Sequence, residues 1–230
     1  MKFGIVTFPG SNCDDDTYVA ITEALGAQAV RLWHKDHDLQ GADIVVLPGG
    51  FSYGDYLRAG GIARFSPIMQ EVVEHAKRGG MVLGICNGFQ ILCESHLLPG
   101  ALLRNAHLQF VHDRVALRVE NADTAFTNQY RVGQILHIPV AHGDGRFTID
   151  ADGLARLQDA NRILFRYVDA NGQSTPAASP NGAMDNIAGI INERGNVMGL
   201  MPHPERVVNA LLGGRDGLGV FESLLARVAV

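Results

Sequence analysis

The spacing of apolar and polar positions changes character near residue 100. Before it, short apolar runs alternate with stretches of helical period. Residues 2–8 form an apolar run rich in β-formers, closed by the turn Pro9-Gly10-Ser11-Asn12. Residues 17–25 then have helical spacing, with Gly26 as the stop. A second strand is predicted over 28–33 and a third over 43–47, the latter almost wholly apolar, as a parallel strand covered on both faces should be. The pattern next predicts a helix over 66–77 ended by Gly79-Gly80, a buried strand over 81–85, and the opening of a helix over 89–94. Such alternation predicts a doubly wound, mostly parallel α/β sheet with helices on both faces. After Pro99-Gly100 the runs at 115–119, 135–140, 163–168, 187–191 and 197–201 read as strands with few helices between them, so antiparallel strands are expected to extend the sheet. An apolar-periodic helix over 219–228 closes the pattern.

Composition narrows the class. A chain of 230 residues, 47% hydrophobic and 19% charged, can bury a full core as one domain spanning 1–230. A net charge of −5, with no basic run longer than Lys77-Arg78, argues against a nucleic-acid surface, because phosphate binding needs clustered cations. Cysteines at 13, 86 and 93 are odd in number and lack C-x-x-C spacing, which points away from a disulfide framework or a cysteine-rich zinc site and toward a reducing, cytoplasmic setting. The first apolar run stops at Pro9-Gly10, too soon for a signal peptide or a membrane span. Phosphate-loop and dinucleotide fingerprints are absent.

The chemistry concentrates at Gly84-Ile85-Cys86-Asn87-Gly88, between a predicted strand and a predicted helix. Small residues two positions either side of Cys86 permit a sharp strand-to-helix turn, a nucleophile elbow with sulfur in place of oxygen. The helix N-terminus favours the thiolate. The alternative is a cysteine that simply packs at a strand end. A thiol nucleophile needs a base and a group that holds the base. His203 and Glu205 suit these roles, since Pro204 extends the chain at His203 and residues i and i+2 then point to the same side. The competing reading makes Glu205 a helix cap and His203 a loop histidine.

Backbone N–H groups of Asn87 and of a glycine in Pro48-Gly49-Gly50 are candidates for an oxyanion hole. Gln90, one helical turn beyond Cys86, lies within reach of a substrate there, whereas Cys93 is assigned to the core. The loop 48–61 holds five glycines in fourteen residues and must bend sharply or approach something closely. Its Tyr53, Asp55, Tyr56 and Arg58 form either a recognition surface or the decoration of a mobile loop. Asp14, Asp15 and Asp16 suit the positive end of the first helix rather than a metal ion, and the pairs His34/His37 and His107/His112 read as surface histidines.

Taken together, Gly84-Ile85-Cys86-Asn87-Gly88-Phe89-Gln90 and Pro202-His203-Pro204-Glu205 resemble the class I (triad) glutamine amidotransferases. Three further stretches narrow the likeness: Pro9-Gly10-Ser11-Asn12-Cys13-Asp14, the glycine-rich loop, and Ala141-His142-Gly143-Asp144-Gly145-Arg146-Phe147. With them the chain resembles the family of stand-alone glutaminase subunits of phosphoribosylformylglycinamidine synthase (PurQ type). The resemblance implies a flavodoxin-like fold and a Cys86 glutamyl thioester, with His203 as acid and base and Glu205 orienting it. It places Gly50 and Asn87 in the oxyanion hole and Gly49, Phe51, Gln90, His142 and Gly143 around glutamine, with no metal. It also implies partners: an ATP-using synthetase subunit (PurL type) and a small bridging subunit (PurS type). ATP and Mg would belong to the synthetase, which makes formylglycinamidine ribonucleotide in purine biosynthesis. No cofactor is expected on this chain, nor a nucleic-acid or membrane partner. A self-sufficient thiol hydrolase and a non-enzymatic binding module are the rival readings.

Overall fold

The structure, a computed structural model, describes residues 1–226. Its centre is a nine-stranded sheet ordered β2-β1-β3-β4-β11-β10-β9-β6-β7. The first five of these, β2 (Gln28–Trp33), β1 (Lys2–Thr7), β3 (Ile44–Leu47), β4 (Met81–Ile85) and β11 (Val197–Leu200), pair in parallel. Beyond β11 the pairing turns antiparallel through β10 (Ile187–Ile191), β9 (Ile163–Val168), β6 (Val111–Val119) and β7 (Ile135–His142). The expected α/β sheet with added antiparallel strands is therefore present. Every residue of β3, β10 and β11 is buried. Neighbouring side chains on a strand point to opposite faces, so both faces of the sheet are covered there.

This order positions the site. β1 pairs with β2 on one side and β3 on the other, so the chain switches direction of winding at β1. In an open α/β sheet the crevice at the carboxyl ends of the strands around such a switch is where ligands bind. Leu47 pairs with Gly84 and Ile85 with Leu200, so the loops after β3, β4 and β11 leave the sheet at one level.

Helix α1 (Asp14–Val19) begins three residues before its predicted start and continues as a wider turn over Ala20–Ala24, where Leu25 N–H bonds Ala20 C=O at 3.1 Å. Helix α2 (Pro67–Lys77) places its proline in the first turn, where the missing N–H costs nothing. Helix α3 (Asn87–Glu94) starts directly after Cys86, two residues before the predicted opening. Helix α4 (Ala151–Asp159) was not expected. Its apolar face, with Leu154 packed against the core and Leu157 buried, repeats at helical spacing and was readable together with Asp150, which accepts the Gly153 N–H at 2.6 Å as N-cap. A small pair, β5 (Ala101–Leu103) with β8 (Arg146–Thr148), also escaped the pattern. β6 starts at Val111 rather than 115, because the exposed His112, Asp113 and Arg114 are held by backbone pairing to β7 and not by burial. The closing helix α5 covers Leu218–Ala226, and residues 227–228 of the predicted span lie outside the described residues.

Candidate active site

Cys86 stands between β4 and α3 with φ 51° and ψ −105°, a conformation costly for any residue with a side chain and of order 1–3 kcal/mol. Its surroundings hold it there. Its N–H donates to Leu200 C=O at 2.7 Å, and its C=O accepts from Phe89 and Gln90 N–H at 3.0 and 3.2 Å, beginning α3. Gly84 and Gly88 are needed for space: a Cβ on Gly88 would collide with the Leu47 carbonyl, and one on Gly84 would lie 2.7 Å from the Gly88 carbonyl oxygen. The elbow is thus pressed onto the end of β3. Cys86 is 5% exposed, with its sulfur 3.8 Å from Ala141 C=O.

Three residues past β11, His203 is held by its N–H on Pro139 C=O at 2.8 Å. Its Nδ1 donates to Glu205 Oε1 at 2.6 Å, and both side chains are almost wholly buried. Burial alone would lower the pKa of His203, but the Glu205 carboxylate and then the Cys86 sulfur outweigh it and hold the pKa well above the usual imidazole value. The arrangement favours an imidazolium whose Nε2 remains for other chemistry. The turn Pro204–Arg206 is a single turn of 3-10 helix, and Glu205 serves His203 rather than a cap.

Gly49 and Gly50 follow β3 directly. Gly50 has φ 145°, and a Cβ on it would lie 2.8 Å from Ser11 Cα. A Cβ on Gly49 would lie 2.7 Å from His203 Cε1 and 3.1 Å from Cys13 Sγ. The loop is tied to the elbow by Ser52 N–H, which donates to Asn87 Oδ1 at 3.1 Å. Asn87 Nδ2 in turn donates to Gln90 Oε1 at 2.8 Å, and Gln90 Nε2 to Asp144 C=O at 2.6 Å. Gln90 is buried, and its amide bridges the elbow to residues 141–147 from within the protein. Phe51 is half-exposed and faces Phe110 at 6.5 Å between ring centroids. Asp55, near Asn87 Nδ2 at 3.5 Å, has its carboxyl raised to about 6 by burial and then by the Asp144 charge.

His142, at the end of β7, is buried between two amides. Its Nδ1 donates to Asn105 Oδ1 at 3.2 Å and its Nε2 accepts from Asn181 Nδ2 at 3.4 Å. Burial first, and the neighbouring His203 second, lower its pKa to about 4, so the ring is neutral near pH 7. Gly143 C=O accepts the Asn105 N–H at 2.9 Å. Asn105 and Asn181 carried no signal in the sequence, because a lone asparagine reads as a turn former.

Other expectations sort plainly. Cys93 is buried and its thiol is pushed up by burial, as a core residue. His37, His107 and His112 are exposed. His34 is not a surface residue: it is 4% exposed, covered by Tyr53, whose hydroxyl lies 2.7 Å from its Nδ1 and 2.8 Å from Ser66 Oγ. Tyr53 therefore anchors the loop, while Tyr56 and Leu57 stand exposed. The three aspartates form no side-chain cap. Asp14 accepts from Thr7 Oγ1 at 2.9 Å, Asp15 pairs with Arg31 at 2.5 Å, and Asp16 with Arg206 at 3.1 Å. Among the described residues one set of cysteine, histidine and acidic groups converges, Cys13 with His203 and Glu205, with donor atoms within 4.8 Å of one another. Its His203 Nδ1 is already committed to the carboxylate.

A cysteine elbow and a buried His–Glu pair at the carboxyl edge of an α/β sheet define the glutamine amidotransferase class, and the family model described as a CobB/CobQ-like glutamine amidotransferase domain matches residues 1–213. The chain is 56% identical over 229 residues to the phosphoribosylformylglycinamidine synthase subunit PurQ of Salinibacter ruber, covering 100% of this chain and 97% of that one. It is 56% identical over 225 residues to the PurQ of Moorella thermoacetica, covering 98% and 95%. Among solved structures it is similar to a chain of PurLQS from Thermotoga maritima, with a TM-score of 0.87, 44% identity and coverage of 99% and 98%. A glutamine amidotransferase from Thermotoga maritima at 17% identity and a TM-score of 0.62 shares the fold. The chain belongs to the PurQ family of glutamine amidotransferase subunits of phosphoribosylformylglycinamidine synthase.

Proposed function

We propose that Cys86 is the nucleophile that releases ammonia from glutamine, with His203 and Glu205 completing the triad. The observation that carries this is the 2.6 Å His203–Glu205 contact buried beside a cysteine held on a strained elbow. The Cys86 sulfur attacks the side-chain carboxamide carbon beside the His203 imidazolium, which already holds the proton that the leaving group will need. The tetrahedral oxyanion is met by the N–H groups of Gly50 and Asn87, both preset by the backbone. The imidazolium gives that proton to the departing nitrogen, which leaves as ammonia, and a glutamyl thioester remains. Water, deprotonated by His203, then attacks the thioester and frees glutamate and Cys86. Gly49, Phe51 and Gly143 line the approach, while Gln90 and His142 act through the loops they fix.

The chain, residues 1–230, works in this reading as one glutaminase domain in the cytoplasm, without a metal or cofactor of its own. Ammonia protonates in neutral water and loses its nucleophilicity, so it must pass to a synthetase by an enclosed path. The solved relative is a PurLQS assembly, and the same PurL-type and PurS-type partners fit here, with ATP and Mg held by the synthetase. Exposed Phe51, Tyr56, Leu57, Leu108 and Phe110 on loops around the site supply apolar surface for such docking. Among the described residues, no helix is long and apolar enough to cross a membrane.

The test is ammonia release from glutamine by the purified chain, alone and with its synthetase partners, formylglycinamide ribonucleotide and ATP. Low activity alone that rises sharply in the complex is expected, as is loss of glutamine-dependent but not ammonia-dependent synthesis in Cys86→Ala. High activity indifferent to partners would mark an independent hydrolase.

A further inference from the structure

Glu205 Oε2 is buried and makes no hydrogen bond, although the next residue, Arg206, carries a guanidinium close enough to feel the carboxylate charge. Arg206 is turned the other way. Its Nη2 donates to Cys13 Sγ at 3.1 Å and its Nε to Asp16 Oδ2 at 3.1 Å, two groups at the start of α1 and nearly two hundred residues away in sequence. Cys13 is 2% exposed and well anchored: its N–H donates to Gly49 C=O at 3.3 Å, and its C=O accepts from Thr17 N–H and Oγ1 at 3.0 and 2.7 Å. Its sulfur also contacts Asn12 Oδ1 at 3.1 Å.

An arginine beside a buried carboxylate is a strong competitor for it, because the pair is charge-assisted and bidentate. Were Arg206 to swing onto Glu205, the carboxylate would be shared and the imidazole would lose both orientation and the charge that keeps it protonated. We propose that Cys13 and Asp16 are positioning residues of the glutaminase site, holding Arg206 against α1 so that Glu205 stays committed to His203. The start of the first helix thereby becomes part of the machinery without touching glutamine. This rests on the triad reading above and extends it to a role for Cys13, Asp16 and Arg206.

The groups that face His203 are Cys86 from the elbow, His142 from β7, Cys13 from the α1 start, and Glu205 on its own turn, with Arg206 and Asp16 behind them. The experiment measures kcat and KM for glutamine against pH in the assembled enzyme, for Cys13→Ala, Cys13→Ser, Asp16→Asn, Arg206→Met and the double variant Cys13→Ala/Arg206→Met. Cys13→Ala is expected to lower kcat about tenfold with little change in KM, and to move the His203 ionisation seen in the pH profile down by about one unit. Asp16→Asn, a change at an exposed site, should do the same to a smaller degree. Cys13→Ser keeps an acceptor for Nη2 and should retain the native profile. Removing Arg206 removes the competitor, so the double variant should recover most of the lost rate. The Cys13 thiol also faces His203 directly, so its loss can shift the profile by itself; recovery in the double variant is what the Arg206 route alone gives, and a shift without recovery, or neither shift nor recovery, overturns the proposal. Cys86→Ala in the same assay separates the two readings: glutamine hydrolysis surviving there would overturn the triad itself.

Discussion

The Nδ1 of His203 and the Oε1 of Glu205 lie 2.6 Å apart in a site with almost no solvent exposure. Glu205→Gln keeps the shape and removes the charge. Glutamine-dependent turnover should fall by about 10²–10⁴-fold, the range attributed to an oriented acid–base group, measured as thioester formation in a single turnover. The stability consequence has a definite sign. The pKa of His203 is raised on folding, so the stabilisation is fully present below the ordinary imidazole value of about 6.5 and is lost as pH rises through the folded value. Wild-type and Glu205→Gln melting curves should therefore converge at alkaline pH. An equal gap at every pH would argue against the charged pair.

Cys86 has a positive φ that glycine adopts freely. Cys86→Gly should raise unfolding stability by about 1 kcal/mol, the relief of strain being offset in part by the added freedom of the unfolded chain. It should at the same time abolish glutamine use. Denaturant unfolding checks the first effect, and a drop in stability would show that the elbow is not strained in the protein.

His142 remains neutral in the folded protein down to about pH 4, whereas in the unfolded chain it takes up a proton near 6.5. The folded state must therefore lose stability as pH falls from about 6.5 to about 4, by about 3 kcal/mol from this one buried residue. His142→Gln should be less stable than wild type at pH 7, with the gap closing toward pH 4. Urea titrations at several pH values decide this, and parallel curves would mean that His142 is accessible to protons.

Much of the site was legible because its signals are local. The small residues around Cys86 specify a sharp turn whatever lies beyond it, and Pro204 between His203 and Glu205 specifies the side on which both groups stand. Strands β2, β9 and β10 fall on their predicted bounds for the same reason, since apolar β-formers between turn residues depend on nothing distant. Helix α4 carries a helical apolar face and an Asp150 cap that the sequence did offer, whereas β5 and β8, three residues each, are too short to leave a period.

What only the tertiary structure decided are relations between residues far apart in the chain. Asn105 and Asn181 close on His142 because β6 lies between β7 and β9, which brings the segment before β6 and the β9–β10 connection to the end of β7, an order in the sheet that no periodicity encodes. Asp16 and Cys13 reach Arg206 because β1 and β11 both send their loops to the carboxyl edge of one parallel sheet. The sequence by itself determined which residues can do the chemistry, since elbow, base and orienting acid are spelled out over a few positions. Their environment depends on burial and on neighbours brought from elsewhere. Ionisation, orientation and the fate of each buried polar group were therefore settled only when the sheet closed around them.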